Sequence, residues 1–224
     1  MSRKFFRKVV LGICIIFGPL LLGTFLVYKQ NKMPEIPENF KVQEFKTNKS
    51  EVLVGIISDT HIPSRANDLP KEIFEVFKNA DLIIHSGDIE NLETLNELRK
   101  IAPVFAIEGN MDQKETKENL PEGISLKIYN WKIGIIHSPF PFWLGSHFNF
   151  VQEMAAKRLA EKENFDILIF GHTHQPFLKE SSLGSKKILL LNPGSATTPF
   201  FIAPSVAILK INQQNFEAKT VNLK

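Results

Sequence analysis

The chain has 224 residues and a formal net charge of +3, a length that suits one substantial globular domain of the usual ~100–200 residues. Arg3, Lys4, Arg7, Lys8, Lys29 and Lys32 all fall in the acid-free stretch 1–32, so the remainder carries −3 and lacks the broad basic face of a nucleic-acid-binding surface. A single cysteine, Cys14, excludes both an intrachain disulfide and a thiolate-rich zinc cage.

After a basic N-terminal flank, residues 1–8, the stretch 9–28 (Val9 to Tyr28) is apolar and free of charge. Its twenty residues would reach ~30 Å as a helix, the thickness of a bilayer core. Gly12, Gly18, Pro19 and Gly23 weaken soluble helices but are frequent in membrane ones. The run exceeds a signal-peptide core and no small-x-small cleavage site follows it. It therefore reads as a transmembrane signal anchor, which predicts a single-pass membrane protein. The basic flank favours a cytoplasmic N-terminus and an extracytoplasmic domain, although Lys29, Lys32, Lys41 and Lys46 beyond the span leave that bias modest. Residues 29–50, with Pro34 and Pro37 among polar residues, read as a polar tether, and the folded domain is expected over 51–224.

Val52 to Ile57 is a β-branched apolar run closed by Ser58 and Asp59, the pattern of a strand buried on both faces. Leu69 to Lys78 places Ile73, Phe74 and Phe77 on one helix face. Ala80 to His85 returns to a buried strand, Asn91 to Ile101 to a helix, and Val104 to Ile107 to a third strand. The order βαβαβ implies parallel strands. Beyond Gly123, Ile124 to Tyr129 and Lys132 to His137 flank a turn at Asn130, as an antiparallel pair opening a second sheet would. A helix is expected within 148–163 and a strand over Asp166 to Phe170. Later strands are expected over Lys187 to Leu191, Ser205 to Ile211 and Phe216 to Val221.

Seven potential metal ligands, Asp59, His61, Asp88, Asn110, His137, His172 and His174, sit at or near the ends of these apolar runs. Carboxylate, imidazole and amide oxygen suit manganese, iron or zinc. In Asp59-Thr60-His61 two ligands can turn inward together as the strand ends. Asp88 follows Gly87, where backbone can approach closely, and its two oxygens could bridge ions roughly 3.5–4 Å apart. Gly171-His172-Thr173-His174 offers two imidazoles within one turn, each able to serve a different ion.

Asp59-x-His61, Gly87-Asp88, Gly109-Asn110, His137 and Gly171-His172-x-His174 resemble the five blocks of the calcineurin-like metallophosphoesterase family. Asn192-Pro193-Gly194-Ser195 further resembles its small bacterial and archaeal phosphodiesterase branch. The resemblance implies an α/β fold, a four-layer α/β/β/α sandwich, spanning about Val52 to Ile211. It also implies two divalent metal ions, manganese foremost, with iron, zinc or nickel as alternatives. Asp59, His61, Asp88 and His174 resemble one metal site; Asp88, Asn110, His137 and His172 resemble the other. The implied reaction is phosphodiester hydrolysis by a metal-bridging hydroxide, with all seven residues catalytic.

Many relatives carry histidine directly after the asparagine, where this chain has Met111. Methionine cannot protonate a leaving oxygen, a contribution typically of ~10²–10⁴-fold, so diesters with good leaving groups are expected over monoesters. Hydrolysis of a pyrophosphate bond in a nucleotide or lipid-linked donor, and a binding scaffold without activity, are the other readings of this fold. His85 is expected to support the site or the core rather than ligate. The aromatics Phe140, Phe142, Trp143, Phe148 and Phe150 suit either core or a surface beside the site, with His147 at the surface.

Overall fold

The computed structural model describes residues 37, 39–139, 149–183, 186–197, 199 and 202–224. The expected anchor at 9–28 and almost all of the aromatic stretch after Pro139 lie outside them. Among the described residues no helix is long and apolar enough to cross a membrane. The expected localisation, a single-pass membrane protein with an extracytoplasmic domain and a membrane partner, is corrected accordingly.

The strands are β1 (Lys41–Phe45), β2 (Glu51–Ile57), β3 (Leu82–His85), β4 (Val104–Ala106), β5 (Gly123–Ile128), β6 (Trp131–Ile136), β7 (Ile167–Ile169), β8 (Phe177–Leu183), β9 (Lys186–Asn192), β10 (Ser205–Asn212) and β11 (Phe216–Asn222). The helices are α1 (Lys71–Phe77), α2 (Leu92–Arg99), α3 (Lys114–Asn119) and α4 (Asn149–Glu163). Part of the stretch expected to be a tether is thus strand β1, which pairs parallel with β5. Strands β1 and β8 and helix α3 are the elements that the apolar pattern does not announce.

Two sheets form, ordered β11-β10-β2-β3-β4 and β1-β5-β6-β7-β9-β8. The expected βαβαβ unit is present, with β2, β3 and β4 parallel, and β5 and β6 form the expected antiparallel pair. Strand β10 returns antiparallel to β2 and extends the first sheet rather than the second.

Alternation explains the packing. Val52, Val54 and Ile56 of β2 turn one way and meet Leu126, Ile135 and Ile169 of the other sheet in a central apolar cluster. Leu53 and Ile57, offset by one, face Ile73 and Phe77 of α1 and Leu95 and Leu98 of α2, as the period of two in a strand requires. On the outer face of the second sheet, Ala156, Leu159 and Ala160 of α4 pack with Phe165, Leu168 and Leu190. Each wholly buried aliphatic side chain contributes about 1.5–3 kcal/mol of transfer free energy, which makes these clusters the main source of stability. Gly134 admits the ring of Phe165: a Cβ there would come within 2.5 Å of it.

The carboxyl ends of β2, β3 and β4 in one sheet and of β6, β7 and β9 in the other open onto shared loops. Backbone hydrogen bonds bind these loops together, Asp59 N to Gly87 O at 3.0 Å, His61 N to Asp88 O at 3.1 Å and Gly171 N to His137 O at 2.9 Å.

Candidate metal centre

All seven expected residues come together where the two sheets' strand ends meet. Asp59, His61, Asp88 and His174 bring one donor atom each within 4.8 Å of one another, and Asp88, His137 and His172 do the same. Asn110 joins the second group through its Oδ1, 3.1 Å from His137 Nε2. Asp88 belongs to both: its Oδ2 lies 3.6 Å from His61 Nε2 and 3.3 Å from His137 Nε2. Its Oδ1 accepts from Met111 N at 2.7 Å.

The backbone here is unusual. Asp59, His61, Asp88, Glu90, His172 and His174 all have positive φ, between 46° and 76°, a region that costs L-residues roughly 1–3 kcal/mol each and clusters at functional sites. Close approach also needs glycine: a Cβ on Gly109 would overlap the Asp88 backbone and carboxylate, and one on Gly171 would overlap Ser58 Oγ.

Hydrogen bonds orient the donors. Glu90 accepts from His61 Nδ1 at 3.1 Å, so in the neutral ring Nε2 keeps a lone pair facing the site. His137 Nδ1 donates to Ser86 O at 2.8 Å, with the same result. Ser58 Oγ donates to Asp59 Oδ2 at 2.6 Å, and His172 N donates to that oxygen at 3.0 Å. From the Asn192-Pro193-Gly194-Ser195 turn, Asn192 Nδ2 donates to Gly171 O and Ser195 Oγ donates to Asp59 O, both at 2.8 Å.

Electrostatics reflects two buried carboxylates among four imidazoles. Burial alone would raise Asp59 and Asp88, but hydrogen bonds and charge from His174 and His137 hold both carboxyls below their ordinary values. Burial opposes charge on His137, yet the Asp88 and Asp59 carboxylates raise it to about 10. Burial and the His137 charge push His172 down to about 4. Nitrogen and oxygen donors converging on shared points fit divalent cations.

His85 is fully buried, with Nε2 3.2 Å from Thr60 Oγ1, and burial lowers it to about 3. Two residues escape sequence reasoning. Glu90 accepts from His61, from Ser64 N at 3.0 Å and from Ser64 Oγ. Asp112 accepts from Ile89 N at 2.6 Å, Glu90 N at 2.5 Å and Gly109 N at 2.6 Å, tying the loop after β3 to the loop after β4. The available signal was an acid two residues beyond each of Asp88 and Asn110.

A two-sheet α/β fold that gathers Asp and His donors at its strand ends defines a class of metal-binding hydrolase. The chain belongs to the calcineurin-like phosphoesterase superfamily, whose domain model matches residues 52–214. It is 40% identical over 174 residues to a probable metallophosphoesterase of Methanocaldococcus jannaschii, covering 77% of this chain and 82% of that one. A phosphodiesterase of the same organism is 28% identical over 179 residues, covering 73% and 95%. Among solved structures, wild-type Vps29 of Entamoeba histolytica complexed with Zn²⁺ superposes with a TM-score of 0.58 at 27% identity, covering 76% of this chain and 98% of that one. Family and donor chemistry together support divalent metals at this site.

Proposed function

We propose that the protein is a two-metal-dependent phosphodiesterase. The observation that carries this reading is the sharing of Asp88 between two donor sets, because one carboxylate with an oxygen facing both groups is what a bridged pair of ions requires. Asp59, His61, Asp88 and His174 would hold one ion; Asp88, Asn110, His137 and His172 would hold the other. Manganese is the metal we assign, with iron, zinc and nickel compatible with the same donors. Two cations bound there would supply Lewis-acid stabilisation of phosphoryl oxygens and a nucleophile derived from water at neutral pH. The three apolar clusters support reading the layers as an α/β/β/α sandwich, with the site at one end of the sheet-to-sheet interface.

The protein's own groups then have distinct tasks. Glu90 and the Ser86 carbonyl fix the rings of His61 and His137, and such partners raise ligand basicity. Met111 anchors Asp88 through its N–H while its side chain remains 52% exposed. It places no proton donor beside the leaving group, which supports diesters over monoesters, since alkoxide departure without a general acid forgoes ~10²–10⁴-fold. The likeness to an archaeal phosphodiesterase points the same way.

The test is hydrolysis of a chromogenic bis-aryl phosphodiester by the full chain, stripped of metal and re-supplied with manganese, beside Asp88→Asn. Activity restored by metal and lost in the variant is expected. Two bound metals without diester cleavage would refute the reading in favour of pyrophosphate hydrolysis or a scaffold role. For diester preference, Met111→His should shift the diester-to-monoester rate ratio toward the monoester, and an unchanged ratio would overturn it.

A further inference from the structure

His85 stands where the fold would ordinarily place an apolar side chain. Its register partners are Ile57 of β2 and Ala106 of β4. Both, with Ile83 two residues earlier on the same face of β3, belong to the apolar cluster beneath α1 and α2. The ring is fully buried, and its Nδ1 has no hydrogen-bond partner among the described residues. Buried polar atoms are normally paired, so the one polar contact the ring does make, Nε2 to Thr60 Oγ1 at 3.2 Å, is what sets it apart from a leucine.

The direction of that contact follows from the hydroxyl's other neighbour. Thr60 Oγ1 lies 3.5 Å from the carbonyl oxygen of Asp88. A carbonyl can only accept, so the hydroxyl proton points toward it and a hydroxyl lone pair takes the Nε2–H of the neutral ring. The chain of donors runs from His85 Nε2 to Thr60 Oγ1 to Asp88 O. The same carbonyl accepts from His61 N at 3.1 Å, and the carbonyl of Thr60 accepts from Thr197 Oγ1 at 2.8 Å. Thr60 thus joins the Asp59-Thr60-His61 segment to the Asp88 peptide.

We infer that His85 and Thr60 are positioning residues for the metal centre, which hold the Asp88 peptide, and through it the carboxylate shared by the two donor sets, at a fixed distance from Asp59 and His61. This rests on the two-metal reading above and adds to it two residues that act through Asp88 rather than on the ions. Asp88 has φ 55°, a conformation that costs an L-residue, so the carbonyl at that position needs partners that hold it. A leucine at position 85 would keep the packing and lose the Nε2–H, and with it the orientation of the Thr60 hydroxyl.

The experiment uses the full chain, stripped of metal and titrated with manganese against a chelating dye, with urea unfolding in excess chelator run in parallel. Thr60→Val removes the hydroxyl at nearly constant shape, and Thr60→Ser keeps it. His85→Leu removes the ring donor, whereas His85→Gln carries an amide N–H at about the reach of Nε2. Manganese affinity should weaken by about 10-fold in Thr60→Val and in His85→Leu, the lower end for groups that orient a ligand, and recover in Thr60→Ser and His85→Gln. Because the two residues act in series, the double variant Thr60→Val/His85→Leu should match Thr60→Val within about twofold, whereas independent contributions would multiply to about 100-fold. That multiplied loss would overturn the inference. So would affinity within about twofold of wild type in both Thr60→Val and His85→Leu, whatever their stability, since the two residues would then serve packing alone while the metal centre stands. A wild type that takes up no manganese would remove the two-metal reading itself, and this inference with it.

Discussion

Glu90→Gln isolates the contribution of ligand orientation without touching a donor atom. The Glu90 carboxylate receives His61 Nδ1–H at 3.1 Å and Ser64 N–H at 3.0 Å on different oxygens, with Ser64 Oγ as a third donor. Glutamine keeps the size but converts one acceptor into an NH₂ group. Either His61 or the Ser64 backbone then faces a donor. A buried group left without its partner costs about 1–3 kcal/mol. If the amide oxygen stays with His61, the loop at Ser64 loosens and the cost is to folding stability. If it turns to Ser64, His61 loses the partner that sets its tautomer, and metal affinity should fall by roughly 10–100-fold, as when such outer partners are removed. Titration of the metal-stripped chain with manganese against a chelating dye, together with urea unfolding in excess chelator, separates the two. The reasoning predicts at least one loss of the stated size. Wild-type values in both assays would show that Glu90 does not govern His61.

Three more outcomes follow from the geometry. His85 is held neutral, lowered to about 3 by burial from an unfolded value of ~6.5. The unfolded chain therefore binds the extra proton as pH falls, and the stability that this group contributes above pH ~6.5 is lost progressively toward pH 3. The slope is about 1.4 kcal/mol per pH unit for one proton. His85→Leu should remove about one proton from the pH dependence of urea unfolding between pH 6 and 4, and an unchanged slope would contradict this. Gly109→Ala pushes a methyl into the Asp88 backbone and carboxylate and should abolish uptake of two metals, read by metal analysis of the purified protein. Phe165→Ala empties a fully buried ring site between α4 and the second sheet and should cost about 3–5 kcal/mol in urea unfolding, with metal content preserved.

What could be read from the chain follows burial. Strand β3, LIIH, is buried at every position, and β2 has only Glu51 exposed. Layers on both faces select uninterrupted apolar residues, so both strands stand out. Strands β1 and β8, KVQEF and FLKESSL, are the two edges of the second sheet. An edge strand gains its place largely through backbone pairing to one neighbour, which leaves little trace in side-chain composition. Helix α3, KETKEN, buries only Thr116 and offers no apolar stripe to detect. The candidate metal donors were legible because residue type and strand-end position coincide. Glu90 and Asp112 were not, since a loop carboxylate usually faces water and their importance arises only when loops 22–29 residues apart in sequence converge.

That convergence bears on how the centre is held. Six residues of the site occupy left-handed backbone, each at a cost of roughly 1–3 kcal/mol. The opposing terms are hydrogen bonds between loops: Asp112 gathers three backbone N–H groups, Ser195 Oγ donates to the carbonyl of Asp59, and Thr197 Oγ1 donates to that of Thr60 at 2.8 Å. These donors and acceptors are protein groups, and the loops they fasten are rooted in strands of both sheets, whose shared core lies directly beneath. Protein groups thus help to fix the positions of the candidate donors. The strain in these loops is opposed by those hydrogen bonds and by packing in both sheets.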